Sequence, residues 1–363
     1  MSVRIGVVGT GMIGRDHVRR LTRSLAGARV TAVADVDGAR ARAVAAALPV
    51  PARVLASGLE VVADPDVDAV LVASWGGSHE EYVIAAIEAG KPVFCEKPLA
   101  DTAAACRRIM DAEVAAGRRL VQVGFMRRYD AGYRAMKQVV DSGRIGAPLL
   151  MHCAHRNPSV PGHYTRENAI NDTAVHEVDV VRWLFGEEIV AVRVIVPHRN
   201  RNGGDLQDPL LFLMETASGA VVDDEISLNI RYGYDIRGEI VGEEGTVALA
   251  DPGPVVVRHA GTTGGRVPAD WQERFARAYD VELQEWVDGV AAGLPAGATG
   301  PSSWDGCAAQ VVCDAGLVAL NEGGGLVPVT LPDAPALYRA APPDRAPDLA
   351  PDVAPDVARK AVS

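Results

Sequence analysis

The stretch Val3-Arg4-Ile5-Gly6-Val7-Val8-Gly9-Thr10-Gly11-Met12-Ile13-Gly14 decides how the first half of this chain folds. Val3 to Val8 is mostly apolar with little alternation, the pattern of a parallel strand covered on both faces. It runs straight into a G-x-G-x-x-G turn, after which Ile13, His17 and Leu21 share one face of a helix. A glycine motif alone carries little weight. Here a second strand, Val30 to Ala34, follows and ends in Asp35, about twenty residues after the last glycine, where a carboxylate meets a ribose. The positions agree chemically. Gly9 permits the tight turn, Gly11 lets backbone approach a pyrophosphate, and Gly14 lets the helix pack on the sheet. Met12 and Ile13 sit between them at the helix N-terminus, which favours phosphate charge. Asp35 accepts hydrogen bonds from ribose hydroxyls and repels a 2'-phosphate, so the expected cofactor is NAD rather than NADP.

The alternation continues beyond Asp35. A helix is expected at 39–48, a strand at 69–73, a helix at 80–89 and a strand at 92–95. A helix capped by Asp101 and a strand at 120–123 complete the series. The pattern predicts an α/β fold, with an N-terminal Rossmann doubly wound parallel sheet over residues 1–123. Ligands of such sheets bind at the carboxyl ends of the strands. That puts Ser74, Trp75 and His79 after one strand, and Glu96 and Lys97 after the next, on the cofactor side. Lysine is scarce in this chain, Arg carrying nearly all the positive charge. An ammonium at Lys97 could hold a substrate hydroxyl and stabilise a developing alkoxide; a surface Lys-Pro turn is the alternative.

The stretch Asn171-Asp172-Thr173-Ala174-Val175-His176-Glu177-Val178-Asp179, continuing to Leu184, reads as an amphipathic helix. Asp172 and His176, four apart, share its face, a pairing suited to acid–base work or to a helix-end charge beside a structural histidine. Before this helix, Leu149 to Asn157 reads as a strand with Cys153, His155 and Asn157 on one face. His155 and Asn157 are polar-ligand contacts or structural groups. Adjacent His152 and Cys153 point oppositely, and no metal is expected. After it come strands at 189–197, 210–216, 220–230, 234–242 and 246–249, joined by short Gly turns. They predict a C-terminal α/β domain, residues 124–330, built on a large, mainly antiparallel open sheet. Helices at about 270–292 and 303–320 follow. From Leu331 the chain turns to Pro, Ala and Asp, and residues 331–363 are expected to be a disordered tail.

Net charge is −11 over 363 residues, with 48% apolar and 23% charged. A globular chain that acidic lacks the cations for generic nucleic-acid or anionic-membrane binding. Five scattered cysteines without C-x-x-C fit reduced thiols, and no signal peptide or membrane span is visible. A cytoplasmic protein is expected.

Taken together, these marks resemble the Gfo/Idh/MocA oxidoreductase family over about residues 1–330. The family-level marks are Gly9-x-Gly11-x-x-Gly14, Glu96-Lys97-Pro98, Asp172-x-x-x-His176 and Pro301-Ser302-x-x-Asp305-Gly306. Closer marks, similar to members that act on inositols, are Ala73-Ser74-Trp75-Gly76, Gly124-Phe125-Met126-Arg127-Arg128-Tyr129-Asp130, His155-Arg156-Asn157 and Tyr232-Gly233-Tyr234-Asp235. Gly77 departs from the Pro often found there, and the tail has no counterpart. The resemblance implies NAD-dependent oxidation of a cyclic polyol, myo-inositol first, by hydride transfer. Lys97, Asp172 and His176 would be catalytic, with His176 as general base. Arg127, His155, Asn157 and Tyr234 would line the polyol site beside Asp172 and His176. The resemblance also implies a homotetramer or homodimer. Other inositols, an amino-inositol or a pyranose are alternative substrates, and a non-catalytic NAD-binding regulator is the alternative class.

Overall fold

The apolar runs of the first half form strands β1 (Val3–Val8), β2 (Ala28–Ala34), β3 (Arg53–Val54), β4 (Ala69–Val72), β5 (Val93–Glu96) and β6 (Val121–Gly124). A computed structural model describes residues 2–250, 256–298 and 300–339 of the chain. The six strands pair in parallel in the order β3-β2-β1-β4-β5-β6. Ile5, Val7, Val70, Leu71 and Val72 are fully buried, as a sheet covered on both faces requires. β1 is flanked by β2 on one side and β4 on the other, so the strand order switches direction there. The crevice at such a switch point is where open α/β sheets bind ligands.

Two short elements, β3 and the helix Gly58–Ala63, had no counterpart in the sequence reading. The helix Ala103–Ala116 is capped by Thr102, not by Asp101: Thr102 Oγ1 accepts from Ala105 N at 3.2 Å. Asp101 instead lies against Gly76 and Gly77.

The second sheet comprises β7 (Pro148–Arg156), β8 (Ile189–Ile195), β9 (Leu210–Thr216), β10 (Val221–Ser227), β11 (Asp235–Gly242) and β12 (Thr246–Ala248). A hairpin of β13 (Val256–His259) and β14 (Thr262–Gly265) stands apart, and β15 (Val327–Pro328) joins the sheet edge. The order is β12-β11-β7-β10-β9-β8-β15. The described pairings are antiparallel except β7–β10, which is parallel, with Leu150 opposite Val221. Hairpin turns signal only consecutive neighbours, so this central pairing was not visible in sequence. Met151, Cys153 and His155 of β7 point into the core, while Leu150 and His152 stay exposed.

The helix expected over 270–292 is broken into Trp271–Arg274 and Ala276–Ala291 around buried Phe275. In the second piece, Leu283, Trp286 and Val287 pack with Val3, Ile5, Val18 and Leu21 of the first half. The helix Ser303–Asn321 packs on Ala103–Ala116 and on Val175–Phe185. These crossings pin the two sheets to each other and fix the crevice between them. Residues 331–339, expected as the start of the tail, are ordered instead. A short helix, Ala336–Arg339, brings Tyr338 Oη to Glu113 Oε2 at 2.7 Å, a long-range contact that composition could not reveal. The rest of the expected tail, residues 340–363, lies outside the described residues.

Candidate active site

A single cleft of about 1210 Å³ runs from the glycine turn after β1 to the face of the second sheet. At its nucleotide end it is lined by Gly9, Gly11, Met12, Ile13, Asp35, Ser74, Trp75, Glu96 and Lys97. Gly9 has φ +92°, and a Cβ there would lie 2.5 Å from Ala73 O. A Cβ on Gly14 would lie 2.1 Å from Gly9 O, so the helix–turn contact requires glycine at both positions. Gly11 is different. Its Cβ would meet only Arg40 Nη1, at 3.7 Å, and would otherwise project into the cleft. Its lack of a side chain keeps a concave anion cradle open at the N-terminus of the helix Met12–Arg23. The Asp35 carboxylate is held by Thr10 N (2.6 Å), Thr10 Oγ1 (2.9 Å) and Asp37 N (2.8 Å), which fixes its orientation beside the cradle. These residues fit a dinucleotide: a glycine cradle for the pyrophosphate and an oriented carboxylate for the ribose.

His79 does not line the cleft. It is buried, with Nδ1 2.8 Å from Pro98 O and Nε2 3.1 Å from Ser74 O. Burial lowers its basicity. It ties the loop carrying Ser74 to the Lys97-Pro98 turn, whose peptide bond is cis. Glu96 is anchored too, its Oε1 2.6 Å from His17 Nε2 and its Oε2 accepting from Lys97 N at 3.1 Å. Both strand-end loops are thus pinned from behind, which gives Lys97 a fixed starting point.

At the other end stand Lys97, His155, Asn157, Asp172, His176 and Tyr234. The expected helix start is a π-helical turn, Ala169–Ala174, that passes into the α-helix Val175–Phe185. Such widened turns recur at functional sites. Ala169, Ile170, Thr173 and Ala174 are buried, while the Asp172 side chain keeps 47% of its surface open. Lys97 Nζ donates to Asp172 O at 2.9 Å and to Oδ1 at 2.5 Å. The ammonium has three N–H bonds, so one is left for a ligand. The Lys97 charge, aided by the hydrogen bonds from Lys97 and Tyr164, holds the Asp172 carboxyl below its usual range against the partial desolvation of the cleft.

His176 lies one helical turn beyond Asp172. Burial, reinforced by the charges of Lys97 and Arg127, drives its basicity well below that of a free imidazole. Its Nδ1 is buried with no hydrogen-bond partner among the described residues. The ring therefore stands neutral at the cleft wall around neutral pH, in the state that accepts a proton.

Arg127 does not reach the cleft and corrects the expectation. It is fully buried, its Nη1 bonded to Glu177 and its Nη2 donating to His155 Nδ1 at 3.0 Å. Rings of Tyr133 and Phe275 flank the guanidinium. His155 Nδ1 also lies 3.2 Å from Glu177 Oε2, and its Nε2 is 3.3 Å from Tyr234 Oη. Burial keeps His155 neutral. His152 faces away and pairs with Asp223 at 2.5 Å. Among the described residues no cluster of three or more His, Cys, Asp or Glu is arranged to hold a metal.

Sequence reasoning missed Tyr164, Arg40, Trp271 and Glu177. Tyr164, Arg40 and Trp271 line the cleft, and Glu177 holds Arg127 from behind. Arg40 carried a signal, since a cation just beyond Asp35 sits beside an anion cradle. Tyr164 arrives on an irregular segment with no periodicity to betray it, and Trp271 on the short helix Trp271–Arg274 that Phe275 separates from the longer one.

Comparison with known proteins follows this geometry. Residues 3–125 match a family described as oxidoreductase, NAD-binding Rossmann fold, and residues 133–248 match the GFO/IDH/MocA C-terminal domain. The chain belongs to the Gfo/Idh/MocA oxidoreductase family. It is 56% identical to inositol 2-dehydrogenase 3 of Saccharopolyspora erythraea, over 93% of this chain and 98% of that one. Among solved structures it is similar to the myo-inositol dehydrogenase of Lactobacillus casei in complex with NAD(H) and myo-inositol. The TM-score is 0.90 at 38% identity, covering 93% of this chain and 100% of that one. It also resembles the scyllo-inositol dehydrogenase of Lactobacillus casei with bound NAD(H) and scyllo-inositol, at TM-score 0.82 and 26% identity, covering 91% of this chain and 99% of that one. As a Gfo/Idh/MocA protein the chain is an NAD-dependent oxidoreductase acting on a CH–OH group. That membership accounts for a nucleotide cradle and a Lys–Asp–His cluster lining one cleft.

Proposed function

We propose that this enzyme oxidises myo-inositol at C2 to the 2-keto product, using NAD. The observation that carries the reading is Lys97 Nζ seated on Asp172 in the same cleft as the glycine cradle, with neutral His176 also lining it. Bound NAD supplies the hydride acceptor. Gly9, Gly11, Met12, Ile13 and Gly14 form the turn that holds its pyrophosphate. Asp35 takes its ribose hydroxyls, and Ser74, Trp75, Glu96 and Lys97 line the rest of its path. Lys97 directs its remaining N–H to the reacting hydroxyl and stabilises alkoxide character as the proton leaves. His176 receives that proton. Asp172 keeps Lys97 in place and accepts from a neighbouring hydroxyl. His155, Asn157 and Tyr234 present further polar groups to the ring, with Arg127 holding His155 from behind.

The same reading sets the enzyme in the cytoplasm, in inositol catabolism, as a homotetramer or homodimer. Five free, buried cysteines support a reducing setting. Among the described residues no helix is long and apolar enough to cross a membrane. Leu150 and Val221, exposed on the outer face of the second sheet, support pairing through that face. A second substrate, scyllo-inositol, is favoured by the likeness to the scyllo-inositol dehydrogenase.

His176→Ala tests the base. Turnover is expected to be lost while NAD still binds, as read by quenching of tryptophan fluorescence. A variant with near-normal turnover removes His176 as base.

A further inference from the structure

Asp172 is held from two sides, and only one of them is the lysine. Its second oxygen, Oδ2, accepts from Tyr164 Oη at 2.9 Å. Tyr164 lies on the segment between β7 and the π-helical turn, with its backbone N–H on Pro161 O at 3.0 Å. The same phenol oxygen is 2.9 Å from Thr173 Oγ1. A hydroxyl carries one proton and two lone pairs, and a carboxylate only accepts. The Asn168 carbonyl oxygen also lies 3.3 Å from Tyr164 Oη, but the carboxylate is nearer and charged, so the Tyr164 proton goes to Asp172 and Thr173 donates to Tyr164. The result is a directed chain, Thr173 to Tyr164 to Asp172, that meets Lys97 at the carboxylate.

The chain has a consequence for catalysis. Asp172 lies on a widened helical turn with nearly half its side chain open to the cleft, so its own packing does not fix its rotamer. Without a hold on Oδ2, the carboxylate can rotate about its terminal torsion, which is broad and roughly two-fold. Lys97 Nζ, still held by Asp172 O, would then lose its carboxylate partner and the direction that partner gives its remaining N–H. We infer that Tyr164 is a positioning residue of the reaction: its phenol O–H fixes Asp172 Oδ2 so that Oδ1 stays on Lys97 Nζ, and it ties the Asn157–Tyr164 wall of the polyol site to that carboxylate.

This role rests on the proposed polyol oxidation for its kinetic readout, but not for its titration readout. The groups facing Asp172 are Lys97 from the turn after β5, Tyr164 from the segment after β7, His155 from β7 and His176 from its own helix. Lys97 and Tyr164 both favour its ionised form. Removing the phenol hydroxyl therefore raises the Asp172 pKa.

Tyr164→Phe keeps the ring and deletes only the hydroxyl. For a hydrogen bond to a charged group, the expected loss in kcat/KM for the polyol is about 10-fold to 100-fold. KM for NAD is expected to stay unchanged, and the acidic limb of the pH–rate profile to move to higher pH. Independently of turnover, the carboxyl carbon of Asp172, assigned by its absence in Asp172→Asn, is followed by carbon-13 NMR titration. Its midpoint is expected to rise in Tyr164→Phe. An unchanged midpoint overturns the inference whether or not the enzyme turns over a polyol. Absence of polyol oxidation by the wild type, with the midpoint raised, overturns the substrate reading alone. A raised midpoint with wild-type kcat/KM overturns the catalytic role of the contact.

Discussion

Replacing Lys97 by Met preserves the stem of the side chain and removes its charge. Two effects follow from the geometry. The first is loss of the donor that polarises the reacting hydroxyl. Lys97 is only 17% exposed and acts beside a desolvated imidazole, so the interaction is not screened as a surface pair would be. Removing a preorganised donor of this kind costs about 3 kcal/mol, a fall in kcat of roughly 10²-fold. The second effect is electrostatic. Lys97 is the largest cause holding the Asp172 carboxyl down, and, after burial, the largest cause depressing His176. Without it both groups bind protons more tightly, and both must lose them for turnover. The acidic limb of the pH–rate profile therefore moves to higher pH in Lys97→Met. The assay is steady-state absorbance of the reduced nicotinamide with NAD and myo-inositol, from mildly acidic to alkaline pH. A kcat within about 3-fold of wild type, less than 1 kcal/mol, would refute the donor role. A large loss with an unmoved acidic limb would refute the electrostatic half of the reasoning.

Asp35→Ala is expected to weaken NAD and to narrow the gap to NADP, because the carboxylate that accepts ribose hydroxyls also repels a 2'-phosphate; an unchanged ratio of kcat/KM for the two cofactors would count against it. Glu282 is fully buried on the helix Ala276–Ala291 with neither carboxyl oxygen partnered among the described residues, and burial pushes its pKa well above the usual range. A carboxyl raised in the folded state costs stability as pH climbs above its unfolded pKa. Glu282→Gln should therefore raise Tm at neutral pH and lose that advantage in acid, as thermal melts at the two pH values would reveal. Arg127→Met should cost both stability and kcat/KM for the polyol, since it strands Glu177 and frees His155; thermal melts and steady-state kinetics check the two losses separately.

How much of this was written in the sequence depends on how local each cause is. β1, the glycine turn and Asp35 were legible because strand, turn and carboxylate fall within one βαβ unit. The Asp172–His176 pair was legible because a four-residue spacing aligns side chains on an α-helix, and both residues line the cleft although Asp172 lies on a π-helical turn. Lys97 stood out through scarcity. Arg127 misled because its place at the polyol site came from the resemblance alone, whereas its partner Glu177 is fifty residues away and buries it. His79 misled as well. Its ring lies between two backbone carbonyls that only the folded loops bring together. The parallel β7–β10 pairing, the Tyr338–Glu113 contact and the Tyr164–Asp172 contact all join residues with no shared period. Such contacts are products of tertiary packing and leave no local pattern.

The central claim is that this Lys–Asp–His cleft oxidises a cyclic polyol with NAD. Initial rates of NAD and NADP reduction by the purified 363-residue chain, over a panel of inositol isomers and simple pyranoses at mildly alkaline pH, test it most directly. The account expects myo-inositol to be turned over with NAD, much faster than with NADP and faster than the other polyols. Failure to oxidise any polyol in the panel while NAD still binds would contradict it.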